Sequence, residues 1–187
     1  VGTASALVAA GKTDQALEEF ERVAASIPED RLAGIPQVWG PLLQLRLNAQ
    51  MKRPVAERDW SAIDGLLEML QRSEGISSGQ MSLLRADVLL RKGELAAAAD
   101  LLTAASKSDP QDVQVWNALA TLTLRDQGPA QALAVLKEAP KELANGAGLL
   151  YVAAQIAARE PPEEASKRLF DIEKRALALP RSEEHTS

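Results

Sequence analysis

The sequence predicts an all-α fold built from helix-turn-helix units, and three observations carry that expectation. Ala and Leu dominate the 187 residues while aromatics make up only 3%, a choice that favours helices over strands. Val, Ile and Thr never gather into the alternating runs that a half-buried strand requires. Small and apolar residues instead recur with a period of about 34 residues, the length of one helical hairpin. About five hairpins follow, over residues 1–29 (partial), 35–75 (divergent), 79–110, 113–143 and 146–178.

The first hairpin contains Gly11-Lys12-Thr13, which could be the end of a phosphate-binding loop. Such a loop needs a glycine five positions before the second one, so that backbone N–H groups curl around the phosphates. Ala6 stands there, and no strand precedes it. The glycine is therefore read as the turn between two helices, with Thr13 or Asp14 capping the second. Ala16, Phe20 and Val23 supply that helix's apolar stripe, and Pro28 closes it.

Residues 35–75 are the irregular part. Trp39, Leu42 and Leu43 open one helix, with Gly40 as its cap and Pro41 as its first residue. Trp60, Ile63, Leu67 and Leu70 form the stripe of the next, and Met51 to Arg58, with Pro54, make a long connecting loop. The third hairpin shows Ala86, Leu89, Ala98, Leu102, Ala105 and Pro110, with Gly93 at its turn. Ser82 and Arg85 weaken its first helix. The last contains Leu149, Val152, Ala153, Ile156, Ala165, Leu169 and Ile172, with Pro161-Pro162 between the helices. Pro28, Pro110, Pro129, Pro140, Pro161 and Pro162 all fall at turns or helix starts, and none is expected inside a helix.

The fourth hairpin is the most regular. Trp116, Leu119, Ala120, Thr123, Ala132, Leu136 and Ala139 follow the spacing W-x2-L-A-x2-T-x8-A-x3-L-x2-A. This resembles the tetratricopeptide repeat, with Thr123 in place of the usual large residue and Ala144 at the closing proline position. The resemblance covers most of the chain and is strongest from Gln80 to Ile172. It implies a right-handed superhelix with a continuous core and a concave surface. Ala16, Ala98, Ala132 and Ala165 let paired helices approach, and Phe20, Leu102, Leu136 and Leu169 fill the space beside them. Trp116 is read as core.

The resemblance further implies that the first helix of each hairpin lines a groove for a peptide or helix of another protein. By position the groove residues are Gln80, Leu83, Asp87, Gln114, Asn117, Thr121 and Arg125, with Gln44 and Asn48 as outlying candidates. Relatives that grip acidic chaperone tails place charge or amide where this chain has Leu83 and Leu150, so such tails are not expected as ligands. Amides, hydroxyls and aliphatic groups can bind an extended backbone with little dependence on salt.

Composition narrows the function. The net charge is −5 with no basic block, which leaves phosphate-driven nucleic-acid binding without an electrostatic footprint, and the same argument weighs against an RNA-binding hairpin array. Cys is absent, so thiol nucleophiles and thiolate metal sites drop out. The longest uncharged stretch, Leu143 to Ala158, falls short of the about 20 apolar residues that span a bilayer, so no membrane insertion is expected. Carboxylate pairs such as Glu18-Glu19 and Glu163-Glu164, and the run Glu173-Lys174-Arg175, are read as solvated helix faces.

The last residues, Arg181 to Ser187, resemble the translation of a common sequencing-library adapter, and 180–187 is expected to be a non-native or disordered tail. It contains the only histidine, His185. Without Arg181, Glu183 and Glu184, the 21 basic and 26 acidic residues become 20 and 24, and neither His nor Cys remains for catalysis or metal binding. Together with a start at Val1, this suggests an internal fragment of a larger protein, whose compartment stays open. No catalytic residue, metal, cofactor or small-molecule substrate is expected. The expectation is an interaction scaffold with protein or peptide partners and no catalysis of its own. The alternative is the regulatory or substrate-docking arm of an enzyme whose catalytic domain lies elsewhere.

Overall fold

The computed structural model describes residues 1–73 and 75–179, and the adapter-like tail with His185 lies outside the described residues. Twelve α-helices and one 3-10 turn make up the secondary structure of the described residues. This is the all-helical fold of stacked hairpins that the periodicity predicts. The chain divides into two compact units at Glu94.

The first unit holds α1 (Gly2–Ala9), α2 (Thr13–Ala25), α3 (Glu29–Leu32), α4 (Pro36–Met51), α5 (Ser61–Arg72) and α6 (Ser78–Lys92). Its helices pack in sequence, α1 on α2, α2 on α4, α4 on α5 and α5 on α6. Phe20, Leu42, Leu43, Leu47, Ile63 and Leu70 are at most 1% exposed and form the centre of its core. The α1–α2 turn resolves the phosphate-loop question. Gly11 has φ +72°, its N–H donates to Val8 O at 3.0 Å, and the Lys12 N–H donates to Leu7 O at 2.9 Å. Gly93, after α6, repeats the arrangement: φ is +87°, its N–H reaches Leu90 O at 3.2 Å, and the Glu94 N–H reaches Leu89 O at 2.9 Å. Each glycine closes a helix by satisfying two carbonyls from a left-handed position.

Two local expectations are corrected in this unit. Lys12, not Thr13 or Asp14, is the N-cap of α2, and no side chain caps that end; Thr13 Oγ1 instead accepts a hydrogen bond from Lys52 Nζ at 3.1 Å. Pro41 lies inside α4, because the helix begins earlier, at Pro36, whose ring supplies the first helical φ. The proline ring removes the N–H that would pair with the carbonyl of Gln37. Trp60 stands at the N-cap position, before the first residue of α5, and packs half-buried against the core that the helix's stripe of Ile63, Leu66, Leu67, Met69 and Leu70 enters.

The second unit, from Leu95, holds α7 (Leu95–Ser108), α8 (Val113–Gln127), α9 (Pro129–Glu138), α10 (Lys141–Ala144), α11 (Ala147–Ala157) and α12 (Pro162–Leu177). Here α8 packs on α7 and α9, α11 packs on α8 and α9, and α12 packs on α11. In the α8–α9 hairpin the small residue works as the pattern requires. Ala98 and Ala132 have no exposed surface, and Leu102 and Leu136 fill the adjoining space at 1% and 4% exposure. Leu169 departs from its expected role. It is 36% exposed on α12 beside Phe170 at 70%, because the helix turns Ala165 and Ile172 inward onto α11. Arg175, read as part of a solvated face, is also tied down: its Nε donates to Asn145 Oδ1 at 2.9 Å and its Nη2 to Ala144 O at 2.8 Å, joining α12 to the end of α10.

Candidate functional site

The candidate site lies in the second unit, between α8 and α11. The sequence around α8 holds that helix firmly. Asp112 caps it, accepting hydrogen bonds at Oδ1 from the Gln114 N–H at 2.8 Å and the Val115 N–H at 3.3 Å. Val115, Leu119, Ala120 and Leu122 are buried on its inner face. Trp116 is 6% exposed, as its reading as core requires. Gly128, at φ +93°, ends α8, and Pro129 starts α9 with no N–H to leave unpaired.

On the other side, α11 is apolar almost all round. Leu149, Leu150, Ala153, Ile156 and Ala157 are buried, and Val152 is half-buried. Leu150 is 3% exposed and belongs to the core, so it presents no group to a groove. Between the two helices runs a groove of about 540 Å³. Leu124, Val152 and Ile156 line it with aliphatic surface, and Pro129 closes one side. Asn117, Thr121 and Gln155 add two amides and a hydroxyl, and Arg125 and Arg159 add two guanidinium groups. Thr121 Oγ1 and Asn117 Oδ1 stand 3.5 Å apart, a long hydrogen bond that leaves the amide N–H₂ of Asn117 for another acceptor. Among the described residues, no carboxylate lines the groove.

Three of the sequence-predicted site residues, Asn117, Thr121 and Arg125, therefore share one groove. Gln114 is exposed in the first turn of α8 and does not line it. Gln80, Leu83 and Asp87 lie on α6 in the first unit. There Gln80 completes a capping box, its N–H donating to Ser77 Oγ at 3.1 Å and its Oε1 accepting from the Ser77 N–H at 3.3 Å. Leu83 is half-buried, and Asp87 accepts both 3.3 Å contacts from Arg91 Nε. Gln44 and Asn48 are exposed on α4.

Sequence reasoning missed Gln155 and Arg159, and took Val152 and Ile156 only as packing positions. The repeat register does not point to them: the last hairpin follows the fourth by 33 residues, as Trp116 and Leu149 show, so Thr121 and Arg125 map onto Ala154 and Ala158, one residue short of Gln155 and Arg159.

A family model described as "Tetratricopeptide repeat" matches residues 83–148. The solved structure described as "Crystal structure of YrrB: a TPR protein with an unusual peptide-binding site" aligns at 14% identity with a TM-score of 0.46, covering 95% of this chain and 85% of that chain. No curated protein matches the chain. The family match runs across α8 and α9, where Trp116, Leu119, Ala120, Ala132 and Leu136 are buried at the sites the repeat pattern gives to packing, so this stretch is similar to tetratricopeptide repeats.

Proposed function

We propose that this chain is a protein-interaction scaffold that holds an extended segment of a partner protein between α8 and α11 and performs no catalysis of its own. The observation that supports this reading is the chemistry of the groove. An aliphatic floor of Leu124, Val152 and Ile156 can cover apolar side chains of a bound segment. The amide groups of Asn117 and Gln155 can pair with its backbone N–H and C=O groups, which every extended chain presents regardless of sequence. At about 540 Å³ the groove falls within the about 300–1,000 Å³ typical of ligand sites, and its walls are helices held by a buried core. A rigid wall lowers the ordering cost of binding.

The test is selection from a displayed library of random linear peptides, followed by mapping of a synthetic selected peptide by amide chemical shifts. Shifts concentrated at Asn117, Thr121, Val152 and Gln155 are expected. Failure to enrich any peptide, or shifts concentrated on α9 and α12, would overturn the groove assignment.

A further inference from the structure

Arg91 and Arg125 stand 34 residues apart in the last turns of α6 and α8, and Arg159 follows the end of α11 in the next turn. The residues four positions before them differ. Arg91 follows Asp87, and the two form an ion pair at 3.3 Å. Four residues before Arg125 and Arg159 stand Thr121 and Gln155, which are neutral. The guanidinium of α6 is neutralised by a carboxylate, whereas the two arginines that line the groove share it with a hydroxyl and an amide. Among the described residues, no carboxylate lies within ion-pair distance of Arg125 or Arg159.

Helix C-terminal ends carry partial negative charge from their unpaired carbonyls. Asp126 and Glu160 follow the two arginines in sequence but are not among the residues that line the groove, so the charges lining it are the two guanidinium groups, in a chain whose net charge is −5. Each presents a planar fork of donors that matches a carboxylate.

Building on the peptide-scaffold reading above, we infer that Arg125 and Arg159 select the partner: the bound segment carries aspartate or glutamate side chains interspersed with aliphatic ones, and its carboxylates sit on the two guanidinium groups. The aliphatic residues lie on Leu124, Val152 and Ile156. Because both arginines are exposed, the ion pairs are screened and each adds modestly to affinity. Their larger effect is discrimination, since a basic segment would face like charge.

The experiment uses the full chain and three fluorescein-labelled peptides of equal length, alternating leucine with glutamate, glutamine or lysine. Fluorescence anisotropy is expected to rank glutamate first and lysine last. The glutamate preference over glutamine should be about three- to tenfold at low salt and should shrink as salt rises. Arg125→Gln combined with Arg159→Gln should erase the preference while helix content by circular dichroism stays unchanged, because both side chains are at the surface. Equal binding of the glutamate and glutamine peptides, a preference that survives in the double variant, or no binding of the glutamate peptide would each overturn the inference. The two readings fail separately. Library peptides that map to the groove without acidic enrichment leave the groove standing and remove the role of the arginines, whereas no groove-mapped peptide at all removes the scaffold reading itself.

Discussion

The Trp116 indole N–H donates to the Pro110 carbonyl at 2.9 Å, and Trp39 does the same to Ala33 at 3.1 Å. Both tryptophans sit at the fourth position of their helix, and both reach a carbonyl six residues back in the preceding turn. The bulk of the ring serves the core, and its one donor fastens the helix to the incoming chain. Trp116→Phe keeps most of the bulk and loses the donor. It should cost about 1–2 kcal/mol, combining a lost hydrogen bond with a smaller ring. Urea denaturation gives the number, and a midpoint indistinguishable from that of the parent would show that the bond contributes nothing.

Two glycines in helical surroundings should respond to alanine in opposite directions. Gly93 holds φ +87°, which any side chain resists even though the space beside it is open. Gly93→Ala should therefore destabilise the chain by about 1–2 kcal/mol. Gly65 lies inside α5, exposed, with nothing within 4 Å of an added Cβ. Gly65→Ala should stabilise by about 0.5–1 kcal/mol through helix propensity alone. Thermal melts of both variants beside the parent settle the pair of signs.

Glu160 lies in the turn between α11 and α12 with its side chain only 4% exposed, and Arg168 Nε stands 2.6 Å from its Oε2. Removing the arginine would leave a carboxylate that water scarcely reaches. Because Arg168 is itself 37% exposed, solvent can partly enter, and the loss for Arg168→Met is set at about 2 kcal/mol rather than the larger value of a fully buried pair. Adding Glu160→Gln should recover most of that loss. A double-mutant cycle measures the coupling, and strict additivity of the two changes would refute it.

The carboxyl of Asp59 is held below the ordinary aspartate range by hydrogen bonds from Ser61, side chain first and backbone second, with the charge of Arg53 assisting. Its Oδ1 accepts the Ser61 N–H at 2.9 Å, at the start of α5. A carboxyl lowered in the folded state stabilises the fold above its unfolded value, and that contribution fades as pH falls through the folded one. Titration by carbon-detected NMR should place Asp59 below 3.8, and Ser61→Ala should move it back upward. An unshifted parent carboxyl would contradict the assignment.

Much of this was legible in the residues themselves. The helical hairpins, the turn roles of Gly11 and Gly93, the cap-site prolines and the burial of Trp116 all follow from local chemistry repeated along the chain. Pro41 was misplaced because two competing helix starts, Pro36 and Gly40-Pro41, look alike until the burial of Val38 at 1% exposure draws the earlier residues into α4. The same holds for Leu169, whose repeat position marks it as core but whose helix rotation is set by contacts with α11.

The sequence by itself determined the fold class and the repeat, because hairpin formation depends on spacing, propensity and turn chemistry, each acting over a few residues. It also determined that Asn117, Thr121 and Arg125 share one strip of α8, since residues four apart stack on a helix face. Only the tertiary structure decided what stands opposite that strip. The packing of α11 against α8 brings Gln155 and Arg159 to the same groove, which no carboxylate among the described residues lines. A groove is a property of two surfaces, and its charge is settled by their docking rather than by either helix alone.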